Sequence, residues 1–299
     1  MESQGERSAL VTGASSGIGR ATVDELVRRG LLVFAAVRKP KDAERLRADF
    51  GERVVPVELD VTDEGAIAEA AAFVGTRLGG RGLDGLVNNA GIGVSAPVES
   101  LPIDLLREQF EVNVFGQIAV IQAFLPLVRR ARGRIVNVGS VGGHLTIPFG
   151  GPLCASKAAF RLLNDALRLE LHPFGIQVVM IEPGGIKTPA VGKTLGDADG
   201  VLQRLLPGGA ARYGAMLREF MRRAYAREQH GSPPEMVARA IHRALTDAHP
   251  HARTFVGKDA RRLMLASRLL PDALLDRIRM RLFGVPDRVD RTGKPAMSN

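Results

Sequence analysis

The chain has 299 residues, 45% of them hydrophobic, so it can enclose a substantial core in one or two domains. Its formal net charge is +9, but aromatic residues are scarce and no recognised nucleic-acid-binding motif accompanies the charge, which argues against nucleic-acid binding. A single cysteine, Cys154, excludes an internal disulfide. The sequence has no apolar run of roughly 18 residues and no signal-like amino terminus, so we expect a cytoplasmic protein without a transmembrane helix.

Short apolar segments alternate with helical patterns along the chain. Apolar segments of this kind, separated by helices, favour a parallel sheet that is covered on both faces. The sequence therefore predicts a single-domain α/β protein with a Rossmann-type, doubly wound sheet and ligands at the carboxyl ends of its strands. Strands are predicted at Ser8–Val11, Leu31–Val37, Val54–Leu59, Leu83–Val87, Arg134–Val138 and Gln177–Ile181, and helices at Arg20–Arg29, Asp63–Leu78, Leu105–Arg130 (bent near Gly116) and Ala155–His172.

We expect one domain over residues 1–257, followed by an extension. Within the domain, residues 189–234 lack strand signals and contain Gly-rich patches, which predicts a mobile substrate loop with short helices. Residues 258–284 predict two short amphipathic helices separated by Pro271, and residues 285–299 predict a disordered tail. Packing of the helices on the core or on a subunit is favoured over a lid or peripheral membrane contact. Their apolar stripe comprises Leu269, Leu270, Leu274, Leu275, Ile278 and Leu282.

The first predicted strand runs directly into a Gly-rich turn, Thr12-Gly13-Ala14-Ser15-Ser16-Gly17-Ile18-Gly19. The three glycines allow a tight turn, a close approach of the backbone to a diphosphate and close packing of the next helix on the sheet. The amino terminus of that helix offers free N–H groups and a partial positive charge, and the two serine hydroxyls can add donors. Placed after the first strand of an alternating chain, this turn predicts a dinucleotide site.

Further motifs follow in order along the chain: Asp60-Val61, Asn88-Asn89-Ala90-Gly91, Asn113, Ser140, Lys157 and Pro183-Gly184-Gly185-Ile186-Lys187-Thr188. In this combination the chain resembles the short-chain dehydrogenase/reductase family over roughly residues 7–190. Its Gly-Ser-Val-Gly-Gly and Cys-Ala-Ser-Lys stretches are similar to the hydroxysteroid and retinol dehydrogenase branch. The resemblance implies a nicotinamide cofactor and no metal. The implied cofactor-binding residues are Gly13, Ser15, Ser16, Gly17, Ile18, Gly19, Arg38, Asp60, Val61, Asn89, Ala90, Gly91, Lys157, Pro183, Gly184, Ile186 and Thr188.

The end of the second strand bears on which nicotinamide cofactor binds. NAD-dependent members usually carry an acid there, which grips the ribose 2′-hydroxyl and would repel the 2′-phosphate of NADP. Here the strand ends in Val37 and Arg38, and an arginine can pair with that phosphate and stack on the adenine. The sequence therefore favours NADP(H) over NAD(H). Asp60 resembles the residue that meets the adenine amino group, with a simple helix cap as the alternative.

One position departs from the family pattern. In the family, a tyrosine donates a proton to the carbonyl oxygen, and a lysine four residues later lowers the pKa of that tyrosine and holds the nicotinamide ribose. Carried over by motif, the lysine is Lys157, the serine that steadies the substrate oxygen is Ser140, and the asparagine that positions a water is Asn113. The tyrosine position is Leu153, which has no proton to donate. A general acid contributes roughly 10²–10⁴ in rate, so its loss should slow turnover without necessarily abolishing it.

Several groups could replace the missing proton donor. His144 titrates near neutrality and lies four residues after Ser140, where family members line the substrate pocket. Alternatively, no replacement donor exists and Leu153 is a substitution introduced into a working enzyme. The replacement donors weighed from the sequence are His144, Tyr213, Tyr225, Cys154 and a Ser140–Lys157 pair with a bound water.

The sequence thus predicts an NADP(H)-dependent oxidoreductase that interconverts a carbonyl compound and its secondary alcohol, with an apolar small molecule, bulky or polycyclic, as the expected substrate. The alternatives are a non-redox enzyme, such as a cyclase or dehydratase, in a repurposed pocket, and a cofactor-binding protein with little redox activity. By family habit, a homo-oligomer would form through the helices at 104–130 and 154–172, unless the extension blocks that face.

Overall fold

Parallel strands form the centre of the computed structural model, which describes residues 6–189, 192 and 195–288. In these residues they build one sheet of order β3-β2-β1-β4-β5-β6-β7. The strand order reverses between β1 and β4, which is where a doubly wound sheet opens a ligand crevice. The predicted fold is therefore confirmed. The strands are β1 Ser8–Val11, β2 Leu32–Val37, β3 Val54–Glu58, β4 Gly85–Asn88, β5 Arg134–Val138, β6 Gln177–Pro183 and β7 Arg253–Val256.

Helices cover both faces of this sheet. The described helices are α1 Gly17–Arg28, α2 Pro40–Phe50, α3 Glu64–Arg77, α4 Ile103–Phe110, α5 Gly116–Ala131, α6 Gly151–Leu171, α7 Ala198–Arg204, α8 Gly209–Gln229, α9 Pro234–Thr246, α10 Ala260–Leu269 and α11 Asp272–Phe283.

Each strand contributes to two apolar clusters because successive side chains point to opposite faces. In β1, Leu10 packs with Phe124 of α5 and Phe160 of α6, whereas Ala9 and Val11 belong to the cluster that includes residues of α1 and α9. All four residues of β1 are buried. Burial on both faces explains why the strands read as nearly continuous apolar runs in the sequence.

The predicted helix at Leu105–Arg130 is interrupted. A π-helical turn, Glu111–Phe115, separates α4 from α5 just before Gly116. A Cβ on Gly116 would lie 2.3 Å from the carbonyl oxygen of Val61, so the glycine lets the helix approach that loop. The stretch Ile103–Ala131 is long and apolar enough to cross a membrane by length and composition alone, and half of its apolar window is buried in the fold.

The segment predicted as a substrate loop, residues 189–234, is more helical than expected. It contains α7 and the 21-residue α8. The glycines at 208 and 209 precede and begin α8 rather than marking a loop, and the buried residues Leu217, Phe220, Met221 and Ala224 recur at helical spacing. The sequence analysis also missed α2, α9 and β7. The short β7 has only one fully buried residue, so its apolar signal is weak.

The extension forms two helices on either side of Pro271, as predicted. The first packs on β7 and on the turn after Ser140, and the second packs on α8. Val285 closes the second helix by donating its backbone N–H to the carbonyl of Met280 at 2.9 Å. Residues 289–299 of the predicted disordered tail lie outside the described residues.

Candidate active site

The Gly-rich turn after β1 has the conformation that a phosphate site requires. Gly13 and Gly17 have φ values of +64° and +56°, a region that favours glycine. A Cβ on Gly19 would lie 2.2 Å from the carbonyl oxygen of Gly13 and 2.6 Å from Nδ2 of Asn89. Ser16 occupies the N-cap position of α1 without a side-chain capping bond to any described residue. The N–H groups at the start of α1 and the Ser16 hydroxyl therefore suit an anionic ligand.

A hydrogen-bonded hub joins this turn to the segment after β4. The Thr12 hydroxyl oxygen accepts the backbone N–H groups of Asn89 at 2.9 Å and of Ala90 at 3.0 Å. In return, Nδ2 of Asn89 donates to the Thr12 carbonyl at 2.9 Å. The sequence analysis did not single out Thr12 as a site residue, although the residue opens the Gly-rich motif. The two loops form opposite walls of one groove.

That groove has a volume of about 480 Å³. This size and a wall of backbone N–H groups, apolar side chains and two arginines fit a nicotinamide dinucleotide. Of the implied cofactor-binding residues, Gly13, Ser15, Ser16, Gly17, Ile18, Arg38, Asp60, Val61, Asn89, Ala90, Gly91 and Thr188 line it. Gly19, Lys157, Pro183, Gly184 and Ile186 do not. The wall also includes residues that the sequence analysis did not assign: Ala36, Val37, Leu59, Ile92, Gly93, Val94, Glu108, Val112 and Arg204.

Arg38 stands exposed where β2 ends, with its guanidinium 3.8 Å from the carboxylate of Asp60. Burial by itself would raise the pKa of Asp60, but hydrogen bonds from Thr62 and the charge of Arg38 together outweigh it and lower the pKa. Asp60 therefore stays ionised and caps the turn at Thr62. Arg45 of α2 adds a second guanidinium at this end, donating to the Ser15 carbonyl at 2.8 Å.

Lys157 lies one turn after Leu153 on α6. Its Nζ donates to the carbonyl of Val138 at 2.9 Å. The ammonium is buried although part of the side chain reaches solvent, and this burial lowers the pKa of Lys157 to about 8. Ser140 begins the turn after β5, and its hydroxyl oxygen accepts the Gly142 N–H at 3.0 Å.

Asn113 is fully buried in the π-helical turn, where it fixes the loop after β4. Its Oδ1 accepts the Ile92 N–H at 2.9 Å, and its Nδ2 donates to the Ile92 carbonyl at 3.0 Å and to the Ser156 hydroxyl at 3.1 Å. Ser156 in turn donates to the carbonyl of Leu153 at 2.8 Å. Asn113 is thereby linked to the backbone at the position of the missing tyrosine. π-Helical turns are frequent at functional sites.

Asn113 and Lys157 both lie beside Gly91, a residue of the groove wall. A Cβ on this groove-lining glycine would lie 3.2 Å from Oδ1 of Asn113 and 3.8 Å from Nζ of Lys157. The structure therefore brings together the lysine and the asparagine that the motifs single out. Ser140 begins the adjoining turn, whose Gly143 lies against Lys157: a Cβ there would be 3.0 Å from the Lys157 carbonyl.

His144 faces away from this cluster, toward β6 and β7. Its Nε2 lies 2.8 Å from Oε1 of Glu182, and its ring stands edge-on to Phe255 at 5.6 Å. Glu182 is fully buried, and burial raises its pKa to about 7 despite the opposing charge of Arg253. These contacts give His144 a packing role in the turn after Ser140 and do not direct its ring to Leu153.

The other replacement donors also have different surroundings. The Tyr213 hydroxyl donates to Glu99, and Tyr225 is exposed on α8. Burial raises the pKa of the Cys154 thiol, which makes this thiol a weaker acid.

Comparisons with known proteins agree with this geometry. A family model described as short chain dehydrogenase matches residues 7–198. The chain is 35% identical over 277 residues to the NADPH-dependent 3-dehydrocapnine reductase of Ornithobacterium rhinotracheale, covering 91% of this chain and 95% of that protein. It is 38% identical over 278 residues to human retinol dehydrogenase 16, covering 91% and 87%.

Solved structures give the same result. A short-chain dehydrogenase from Streptomyces avermitilis has a TM-score of 0.73 and 32% identity, covering 94% of this chain and 96% of that one. One from Burkholderia cenocepacia, in complex with NADP, has a TM-score of 0.69 and 27% identity, covering 91% and 97%.

Gly19→Ala should disrupt the phosphate turn, because the new methyl group would lie 2.2 Å from the backbone carbonyl oxygen of Gly13 and 2.6 Å from the Asn89 amide that donates to Thr12. We expect NADPH affinity to fall at least about tenfold, roughly the effect of losing one charge-assisted hydrogen bond. Fluorescence titration would measure it. Gly75→Ala in α3 is the control, since its Cβ would meet only Leu127 at 3.5 Å and a helical alanine is favoured. Equal NADPH affinity in the two variants would contradict the prediction.

Proposed function

Since the chain belongs to the short-chain dehydrogenase family and is an oxidoreductase, we propose that it uses NADP(H) to interconvert an apolar carbonyl compound and its secondary alcohol. The observation that carries the proposal is that Asn113 and Lys157 both lie beside Gly91, a residue in the wall of a dinucleotide-sized groove. Lys157 is a partly buried cation, which is costly to retain without a function.

The preference for NADP(H) is supported by the charges where β2 ends. Val37 lines the groove in place of an acid, and Arg38 is exposed apart from its 3.8 Å ion pair with Asp60, so it can turn toward a 2′-phosphate. Arg45 raises the positive potential beside Ser15. The relative named for NADPH and the NADP complex of a structural neighbour add independent support.

An apolar substrate is supported by the residues that precede α6. Phe149 packs edge-on against Tyr213 at 6.2 Å and against Phe220 at 5.3 Å. Its φ of +58° is strained for a side chain of this size, so surrounding contacts must hold it there. Ile147 joins the same cluster. This apolar wall lies next to the turn of α6 that carries Leu153.

Lys157 is the residue that we propose to deliver the proton. A bound NADPH would supply hydride to the carbonyl carbon. Ser140 orients the carbonyl oxygen, and the Lys157 ammonium gives a proton to the resulting alkoxide through a water molecule that takes the place of the absent phenol. The neutral amine then regains a proton from solvent. Burial favours this step because it brings the pKa of Lys157 to about 8, close to working pH.

Arg38→Leu should weaken NADPH binding and spare NADH. Loss of a charge-assisted pair to the 2′-phosphate should lower NADPH affinity about 10–100-fold, whereas NADH affinity should change less than about twofold. Titration of both cofactors by fluorescence would measure this, with Arg47→Leu, an exposed arginine on α2, as the control. Equal losses for both cofactors would show that Arg38 does not select the phosphate.

Leu153→Tyr should restore the general acid of the family one helical turn from Lys157. We expect NADPH-dependent reduction of a panel of apolar ketones to accelerate by about 10²–10⁴. Leu153→Phe adds the ring without the hydroxyl and is the matched control. A pocket used for other chemistry would bind NADPH normally in both variants and show no gain with tyrosine.

Proton delivery by Lys157 should appear in the pH dependence of the unaltered chain. Reduction requires the ammonium, so kcat should fall as pH rises through about 8, by about tenfold per pH unit beyond it. Lys157→Arg keeps the positive charge but holds its proton to above about pH 12, so its residual rate should lack this decline. A flat profile in the unaltered chain between neutral and alkaline pH would assign the proton to another donor.

A further inference from the structure

The two helices of the extension leave an apolar surface uncovered. We call it the outer stripe, and it consists of two residues of α10 and three of α11, each set spaced four residues apart. Residues at this spacing share one helix face. Their exposed fractions are 59% for Leu265, 70% for Leu269, 43% for Leu274, 40% for Ile278 and 40% for Leu282.

Other residues of the same helices already attach them to the fold. Ala260 and Met264 pack on Val141 in the turn after Ser140. Phe283 packs in the α8 cluster, where its ring lies 5.3 Å from that of Phe220, and Leu275 is buried as well. The favoured expectation is packing on the core or on a subunit, and packing on the core holds for Leu275 but not for Leu269, Leu274, Ile278 or Leu282. Docking of α10 and α11 on the fold does not explain the outer stripe.

Cations accompany the outer stripe on both helices. Arg261 precedes Leu265 by four residues on α10, and Arg277 and Arg281 lie one position before Ile278 and Leu282 on α11. All three arginines are exposed. Residues 258–284 contain seven Lys or Arg against three Asp. An apolar helix face with arginines along its edge is the pattern by which helices lie in the interface of an anionic bilayer.

We propose that α10 and α11 bind the surface of an anionic membrane, with the outer stripe at the boundary between headgroups and acyl chains and the arginines at lipid phosphates. A second copy of the chain fits this surface less well. In a two-fold dimer the same patch faces itself, and a segment with seven Lys or Arg against three Asp would then meet its own net positive charge. Lipid phosphates supply the opposite charge.

The buried side of α11 connects the extension to the apolar residues before α6. A row of aromatic rings runs from Phe283 through Phe220 to Phe149, with 5.3 Å between successive centroids. Phe149 belongs to the apolar wall before α6. A membrane bound at α11 would therefore lie beside the part of the molecule through which an apolar substrate would enter. The binding itself does not depend on the proposed oxidoreductase activity.

Vesicle sedimentation with the full chain tests the proposal. We expect binding to vesicles of phosphatidylcholine and phosphatidylglycerol in equal parts, much weaker binding to phosphatidylcholine alone, and release in about 1 M NaCl, where the Debye length falls to about 3 Å. Leu269→Ser combined with Ile278→Ser should lower partitioning at least about tenfold. Phe73→Ser, which removes a 44% exposed side chain from α3, is the matched control and should bind as the unaltered chain does.

Arg277→Gln with Arg281→Gln separates the charge from the apolar contact. This variant should lose about tenfold or more on the anionic vesicles and little on phosphatidylcholine. The proposal is overturned if the full chain ignores both kinds of vesicle, or if the Leu269 and Ile278 variant binds undiminished. It is also overturned if light scattering shows a dimer that this variant dissociates while vesicle binding is absent. All substituted side chains are exposed, so thermal unfolding should confirm that the variants are folded.

Discussion

The site depends on the hydroxyl of Thr12, which holds the first and fourth strands of the sheet at a fixed distance where their loops part. The helices that follow β1 and β4 lie on opposite faces, so the two loops diverge and a crevice opens between them. A single oxygen that accepts two backbone N–H groups bridges the floor of that crevice. It fixes the Gly-rich turn on one wall relative to Asn89, Ala90 and Gly91 on the other. Because Gly19 has no side chain, the start of α1 can approach Gly13 and Asn89 this closely.

The floor of the crevice also determines where Asn113 and Lys157 can lie. Gly91 follows Ala90 of the Thr12 hub and lies beside both Asn113 and Lys157. Because Gly91 has no side chain, both polar groups can approach the backbone at this point. Asn113 is directed there by one extra residue in the helical turn, since the π-helical stretch shifts the register between α4 and α5. The phosphate end and the chemical end of the groove are thus positioned by one continuous run of backbone.

Much of this arrangement could be predicted from the sequence because it depends on local rules. Strands buried on both faces read as apolar runs, and glycines in a left-handed turn leave a recognisable spacing. The features that the sequence analysis did not predict depend on contacts between residues far apart in the chain. The length of α8 follows from an apolar face that packs on Phe149 and Phe283, and its glycines suggested a loop. The π-helical turn has no pattern of its own. The contact of His144 with Glu182 joins residues 38 positions apart, so their spacing in the sequence carries no sign of it.

Without a phenol at Leu153, the proposed proton transfer depends on the burial of the Lys157 ammonium. A lysine in water keeps a pKa near 10.4 and would hold its proton too tightly for efficient transfer at neutral pH. Burial of Lys157 removes that obstacle because it lowers the pKa to about 8. Just before the helix that carries Lys157, Phe149 and Ile147 belong to an apolar cluster with Phe220 of α8 and Phe283 of α11. One side of the extension therefore packs on the fold through Phe283, while its other side carries the outer stripe.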